Sequence, residues 1–122
     1  MNKKILVVDD EKQILLMIQT RLKKNGYDVV TGENGTQALE KVKSEKPDLV
    51  ILDVMMPPPN GFEVCRTLKE DPELKKIPVI LLTAKASDSD RFWGAESGAD
   101  AYISKPYNPD ELLAKVAELT LP

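Results

Sequence analysis

Acidic side chains follow the first apolar run of the chain, in the stretch VVDDE. Asp9, Asp10 and Glu11 come directly after Val8, where a buried strand would leave the core. Carboxylates this close together repel one another, so a cation, another ligand or water must compensate them. The other interpretation is solvated charge at a helix N-terminus, where acids are favoured without any ligand.

Further polar side chains end three later apolar runs: Asp53 in VILDVMMP, Thr83 in VILLTAK and Lys105 in AYISKP. Taken singly, such an aspartate or threonine is usually a turn residue, and such a lysine is usually a surface residue. Together with Asp9 and Asp10 they offer three carboxylates, a hydroxyl and an ammonium group. Carboxylates suit Mg²⁺, and the other two groups suit a phosphoryl group. If these residues meet at one edge, the pattern indicates a site for Mg²⁺ and phosphate.

Short apolar runs and helical stripes alternate along the chain and predict the elements that would position these residues. Runs rich in Val, Ile and Leu at 5–8, 29–30, 49–52, 79–82 and 101–103 are typical of strands covered on both faces. Alternating strands and helices favour a parallel sheet with helices on both faces, whose ligands bind at the carboxyl ends of the strands. The stripes are Ile14, Leu15, Ile18 and Leu22; Ala38, Leu39 and Val42; Phe62, Cys65 and Leu68; and Leu112, Leu113 and Val116.

Capping residues predict where the helices begin and end. Asn25-Gly26 would end the first helix and Lys46-Pro47 the second. A weaker pattern predicts a fourth helix over 87–97, ended by Gly98. Asn108-Pro109 would begin the last helix, with the asparagine as N-cap and the proline at the first helical position.

Length and composition favour one domain over residues 1–122. A chain of 122 residues, 42% hydrophobic and 30% charged, can bury about two-thirds of its unfolded surface. No apolar run is long enough to span a bilayer, no signal peptide is evident, and Cys65 is the only cysteine, so a cytoplasmic location is expected. The absence of histidine removes the commonest general base and zinc ligand. A net charge of −3 without a basic block argues against direct binding of nucleic acid.

Four motifs together resemble the receiver domain of two-component response regulators. They are VVDDE, LDVMMPPPNGFE, LTAK and YISKPYNPDEL, in this order along the whole chain. The resemblance implies a flavodoxin-like (βα)5 fold, which is a doubly wound parallel α/β sheet with strand order 2-1-3-4-5.

The same resemblance implies roles for the acidic residues. Asp53 would be the phosphoacceptor, and Mg²⁺ would be the cofactor. Asp10 and Asp53 would bind the ion, Asp9 would bind it often through water, and the main-chain carbonyl of Met55 would be a further ligand.

The remaining site residues take their roles from the resemblance as well. Thr83 would donate a hydrogen bond to the phosphoryl group, and Lys105 would pair with it. Thr83 and Tyr102 would form the switch, although from the residues alone Tyr102 is a half-buried strand tyrosine. The peptide bond between Lys105 and Pro106 is expected to be cis.

The implied function is a phosphorylation-driven signalling switch. Because the chain has no histidine, the phosphohistidine donor would belong to a sensor histidine kinase or a histidine phosphotransfer protein. Output would pass to an effector protein or to a fused output domain absent from this chain. Whether the chain forms a dimer on phosphorylation is left open by the sequence. A turnover phosphatase would want a second acid where Met55 stands, so no enzyme is expected. A receiver-like docking module that acts without phosphorylation is the alternative, but the complete acid, hydroxyl and lysine set favours the switch.

The chain departs from the family pattern at several positions. Many relatives carry glycine where Pro58 stands and an acid where Asn60 stands. Three successive prolines at 57–59 fix φ and would stiffen the loop after Asp53. Ala101 and Asp110 differ from the residues of one DNA-binding subfamily, which weakens the case for the symmetric dimer of that subfamily.

Overall fold

A computed structural model describes residues 2–83, 98–104 and 108–121. The elements are β1 (Lys4–Val8), α1 (Lys12–Lys24), β2 (Asp28–Gly32), α2 (Gly35–Glu45), β3 (Leu49–Asp53), α3 (Gly61–Glu70), β4 (Val79–Thr83), β5 (Ala101–Ser104) and the C-terminal helix (Pro109–Leu119). The helix predicted over 87–97 lies outside the described residues. None of the described helices is long and apolar enough to cross a membrane.

The strands form one parallel sheet in the order β2-β1-β3-β4-β5, which confirms the predicted flavodoxin-like fold. The register matters for the site. Val8 pairs with Leu52. The residues that follow them, Asp9 and Asp53, therefore lie next to each other at the carboxyl ends of β1 and β3. Asp53 in turn pairs with Leu82, which places Thr83 one residue further along the adjacent strand.

Helices cover both faces of the sheet, and each face has its own apolar core. Every residue of β3 and β4 is buried, as the unbroken apolar runs predict. Each buried Leu, Ile or Val side chain contributes about 1.5–3 kcal/mol. On one face α1 and the C-terminal helix supply Leu15, Ile18, Leu22, Leu112 and Val116, and on the other α2 and α3 supply Ala38, Val42, Val64, Cys65 and Leu68.

The outer strands are less covered than the sequence predicts. In β5 the buried residues Ala101 and Ile103 alternate with the exposed residues Tyr102 and Ser104. The prediction that this run is covered on both faces is therefore wrong. The reason is its position, because β5 is an edge strand of the sheet and borders solvent more than β3 and β4 do.

The predicted helix ends are found where the structure describes them. Asn25 caps the end of α1, and Gly26 follows with a φ of 87°. Lys46 ends α2 in the left-handed region, with a φ of 46°. The side chain of Asn108 accepts a hydrogen bond from the backbone N–H of Asp110 at 2.8 Å, so it caps the C-terminal helix as expected.

A lysine ties together the loops at the amino end of β4 and β5. The Nζ of Lys69 lies 2.9 Å from Oδ2 of Asp100 and also donates to the carbonyls of Lys75 and Ile77, at 3.1 and 2.8 Å. The same Oδ2 of Asp100 accepts the backbone N–H of Val79 at 2.8 Å. One ion pair thus fixes the starting points of two neighbouring strands.

Candidate phosphorylation and metal site

Three carboxylates meet at the carboxyl end of the sheet. The oxygens offered by Asp9, Asp10 and Asp53 all lie within 4.8 Å of one another. Asp9 and Asp53 are buried, at 0% and 1% exposure, whereas Asp10 is exposed. The parallel register of β1 and β3 explains why Asp9 and Asp53 meet, because the two strands end at the same level. Asp9 directly follows β1, and Asp53 is the last residue of β3.

Backbone N–H groups orient two of these carboxylates. The N–H of Glu11 donates to Oδ1 of Asp9 at 2.9 Å, and the N–H of Met55 donates to Oδ1 of Asp53 at 3.2 Å. In both cases the donor lies two residues after the aspartate, which is the spacing of an Asx turn. These two bonds were not predicted from the sequence, although an aspartate at the end of a strand is a signal for such a turn.

The arrangement suits a hard divalent cation. Carboxylates packed this closely repel one another, and a cation among them lowers that repulsion. Mg²⁺ takes oxygen ligands and usually keeps several waters, so one or two carboxylates beside an exposed opening are a fitting donor set. With Asp9 and Asp53 at the base and Asp10 exposed, the cluster is an acidic pocket that can hold a metal ion.

Thr83 lies at the same edge of the sheet. It is the last residue of β4 and is 4% exposed. Its register partner is Ser104 of β5, and its neighbour Leu82 pairs with Asp53. The structure thus brings Thr83 to the carboxyl end beside the acids, as the sequence predicts. Lys105 and Pro106, with its expected cis bond, lie outside the described residues.

Tyr102 is placed on the sheet face that α2 and α3 cover. It pairs with Leu81, a member of that core, and is 41% exposed. Burial raises the pKa of its hydroxyl above the ordinary value, and the Coulombic effect of Cys65 raises it further. The hydroxyl is therefore protonated at neutral pH and can donate a hydrogen bond.

The loop after Asp53 is held against the end of β3 by a glycine. A Cβ atom on Gly61 would lie 2.5 Å from the carbonyl oxygen of Asp53 and 2.9 Å from Cα of Val54. Asn60, just before it, forms a capping box with Glu63, with N···O distances of 3.0 and 3.1 Å. Gly61 therefore lets the start of α3 approach the end of β3 closely. The role of Gly61 was not predicted from the sequence, although an asparagine before an apolar stripe indicates the start of a helix.

The two methionines of this loop have different environments. Met55 is 68% exposed, whereas Met56 is 6% exposed and belongs to the core on the α2–α3 face. The side chain of Met55 therefore lies in solvent beside the acidic pocket, while its backbone N–H contacts Asp53. That the main-chain carbonyl of Met55 binds a metal ion stays a prediction.

Comparison with known proteins decides the family. A family model described as the response regulator receiver domain matches residues 5–117. The chain belongs to this family. It is 48% identical over 116 residues to the alkaline phosphatase synthesis transcriptional regulatory protein PhoP of Bacillus subtilis. That match covers 95% of this chain and 48% of PhoP, so the chain spans about half the length of this relative.

Solved receiver structures share the whole fold. The chemotaxis protein CheY4 of Vibrio cholerae is 33% identical, with a TM-score of 0.91 over 98% of this chain and 99% of that one. A receiver domain of the Francisella response regulator 1452 is 34% identical, with a TM-score of 0.90 over 98% and 97%. The BeF3-activated DrrB receiver domain is 40% identical, with a TM-score of 0.86 over 98% and 97%.

Proposed function

We propose that this chain is a phosphorylation switch of a two-component system, acting as a single receiver domain over residues 1–122. The observation that supports it most is the cluster of Asp9, Asp10 and Asp53 at the carboxyl end of the sheet, with Thr83 at the end of the adjacent strand. Asp53 is the phosphoacceptor. Membership of the receiver family supports this assignment.

Mg²⁺ is the cofactor that the donor set fits. Asp10 and Asp53 would hold the ion directly, Asp9 would hold it directly or through water, and the carbonyl of Met55 would complete the protein ligands. When bound, the ion neutralises negative charge on the carboxylates and on the phosphoryl oxygens.

Phosphoryl transfer needs little more from the protein than position and charge. A carboxylate oxygen of Asp53 attacks phosphorus in line and forms the new P–O bond of an acyl phosphate. The P–N bond to the donor imidazole breaks, and its electron pair stays on the partner's histidine ring. The N–H of Met55, at 3.2 Å from Oδ1 of Asp53, holds the carboxylate in one orientation. Thr83 and Lys105 bind the transferred group. Water later cleaves the acyl phosphate and resets the switch, so the domain is not a turnover enzyme.

The phosphoryl donor would be a histidine on another protein, because the chain has no histidine of its own. That protein would be a sensor histidine kinase or a histidine phosphotransfer protein, and the transfer would take place in the cytoplasm. The output partner would be a fused output domain or an effector protein that reads the surface of this chain. The match to about half the length of PhoP, a transcriptional regulatory protein, supports the first of these two partners. The net charge of −3 without a basic block argues against direct binding of nucleic acid by this chain.

The response would be read through Thr83 and Tyr102. A phosphoryl group on Asp53 offers acceptor oxygens, and the Thr83 hydroxyl can donate to one of them. Moving Thr83 towards the phosphate frees space near the neighbouring strand, where Tyr102 can turn inward from its 41% exposed position. A beryllofluoride complex mimics the phosphoryl group, and the BeF3-activated DrrB receiver domain shows that a relative takes such a ligand. In Thr83→Ala, the amide shifts of Tyr102 and its neighbours on adding beryllofluoride should lose most of their wild-type size. Full wild-type shifts would contradict this coupling.

A mass measurement tests the phosphoacceptor. Wild-type protein treated with acetyl phosphate and Mg²⁺ should gain one phosphate, and Asp53→Asn should gain none while its circular dichroism is unchanged. Asp48→Asn is the matched control, because Asp48 is an exposed acid at the opposite edge and should leave the adduct intact. An adduct that survives in Asp53→Asn overturns the assignment. No adduct in the wild type would favour a docking module that acts without phosphorylation.

A further inference from the structure

The loop between β3 and α3 presses against the first residue of α2. A Cβ atom on Gly35 would lie 2.1 Å from the carbonyl oxygen of Pro59, 2.7 Å from its Cγ and 3.0 Å from its carbonyl carbon. Real Cβ atoms do not approach backbone atoms this closely. Gly35 is buried, so at this contact the backbone of α2 touches Pro59 directly.

Both sides of this contact are held in place. On the α2 side, Asn34 caps the helix by accepting the N–H of Gln37 at 2.8 Å, and the side chain of Gln37 accepts the N–H of Glu33 at 2.9 Å. On the loop side, Pro59 is the last of three prolines, whose φ angles cannot relax. The capping box of α3 begins at the next residue, Asn60.

The same loop reaches the phosphoacceptor. Its first residues include Met55, whose N–H donates to Oδ1 of Asp53 at 3.2 Å. At its far end a Cβ atom on Gly61 would lie 2.5 Å from the carbonyl oxygen of Asp53, so the loop also passes close to Asp53 there. Only the buried Met56 and two prolines, Pro57 and Pro58, lie between Pro59 and Met55. A displacement of Pro59 is therefore transmitted to Met55 with little loss.

We infer that Gly35 is a positioning residue for the phosphorylation site, acting through Pro59 on the loop that carries Met55. Its lack of a side chain lets α2 serve as a rigid stop for the proline segment, and that stop holds the Met55 N–H against the Asp53 carboxylate. The inference rests on the proposed function, in which Mg²⁺ and the phosphoryl group bind at this carboxylate.

Gly35→Ala tests the inference with a readout other than phosphorylation. We expect its Mg²⁺ dissociation constant, measured by calorimetry, to rise at least about fivefold, and the Met55 amide resonance to shift in the metal-free protein. Asn34→Ala is the matched control. It weakens the same helix end through loss of a cap but adds no atom near Pro59, so its Mg²⁺ affinity and Met55 resonance should stay at wild-type values.

A second variant keeps the test valid if Gly35→Ala does not fold. Pro59→Gly changes no residue of α2, removes the proline ring that lies beside Gly35 and loosens the loop. It should also weaken Mg²⁺ binding several-fold. If both variants fold, their combination should lose less than the sum of the two effects, because they act on one contact. Wild-type Mg²⁺ affinity in Gly35→Ala, or in Pro59→Gly where the first is unfolded, overturns the inference. Absence of Mg²⁺ binding by the wild type would instead overturn the proposed function.

Discussion

Charged side chains are arranged differently at the two ends of the strands, which we call the amino edge and the carboxyl edge of the sheet. At the amino ends of the strands, described side chains of opposite sign are paired: Lys4 lies 3.3 Å from Glu45, and Lys69 lies 2.9 Å from Asp100. At the carboxyl ends, three carboxylates of the same sign lie within 4.8 Å of one another. Paired charges fix where strands begin. Carboxylates gathered together raise the free energy of the folded protein in the absence of a counter-ion. A bound cation relieves this repulsion, so the carboxyl edge is where cation binding would lower the free energy most.

The largest expected effect is on metal binding at the carboxyl edge. Asp10→Asn should raise the Mg²⁺ dissociation constant about a hundredfold, equivalent to about 2.8 kcal/mol, because it removes a charged oxygen ligand from the exposed side of the pocket. Calorimetric titration measures it. Asp48→Asn, which alters an acid of the amino edge, should bind Mg²⁺ as the wild type does. Equal affinities in Asp10→Asn and wild type would erase the proposed difference between the edges.

The next effect is on stability at the amino edge. Lys69→Met should lower the free energy of unfolding by about 2 kcal/mol, since it removes three hydrogen bonds from a charged donor that is 18% exposed. Urea unfolding measures this, with Lys76→Met as the control because Lys76 is exposed. Mg²⁺ affinity should not change. If Lys69→Met cost more free energy of Mg²⁺ binding than free energy of unfolding, the amino edge and the carboxyl edge would be energetically coupled.

A smaller effect concerns the lifetime of the phosphoryl group. Met55 is 68% exposed beside the pocket, where its apolar side chain can hinder an attacking water. Met55→Asn should change the decay rate of the acyl phosphate about tenfold, equivalent to about 1.4 kcal/mol in the barrier. Loss of the mass adduct over time measures it. Met17→Asn, on the exposed surface of α1, should decay at the wild-type rate, and an equal rate in Met55→Asn would place rate control elsewhere.

The smallest expected effect is that of carboxylate repulsion on the free energy of unfolding of the metal-free protein. Asp10→Asn should raise the free energy of unfolding by up to about 1 kcal/mol without Mg²⁺, because it relieves repulsion with Asp9 and Asp53. Added monovalent salt should stabilise the wild type more than this variant, since screening acts on the same repulsion. Denaturant unfolding in chelator at two salt concentrations tests both statements. A variant less stable than wild type would mean that repulsion does not dominate there.

Sequence alone predicts the elements and the gathering of the acids because both depend on local rules. Unbroken apolar runs gave β3 and β4, and parallel strands must end at one edge, which brings Asp9 and Asp53 together. The strand order came from family resemblance. The coverage of β5 was wrongly predicted, because burial at an edge depends on neighbouring elements rather than on the run itself.

The contacts made by Lys69 and Gly35 could not be predicted. Each depends on how far apart two elements lie after packing, and no local pattern records that distance. Lys69 resembles any surface lysine in sequence, yet its Nζ bonds to two loop carbonyls and to Asp100. Gly35 resembles an ordinary helix-start glycine, and only the position of Pro59 shows why a side chain is excluded.

The burial of Asp53 also restricts the direction of chemistry. Its strand is buried along its whole length, with sheet neighbours on both sides and helices on both faces, and the carboxylate is 1% exposed. A reagent can therefore approach only end-on, along the strand axis. In-line displacement requires the attacking and leaving atoms to share one line. In the proposed function, the donor imidazole and the attacking water would therefore arrive along nearly the same trajectory, so a partner protein bound over this end of the sheet would block hydrolysis for as long as it stays bound.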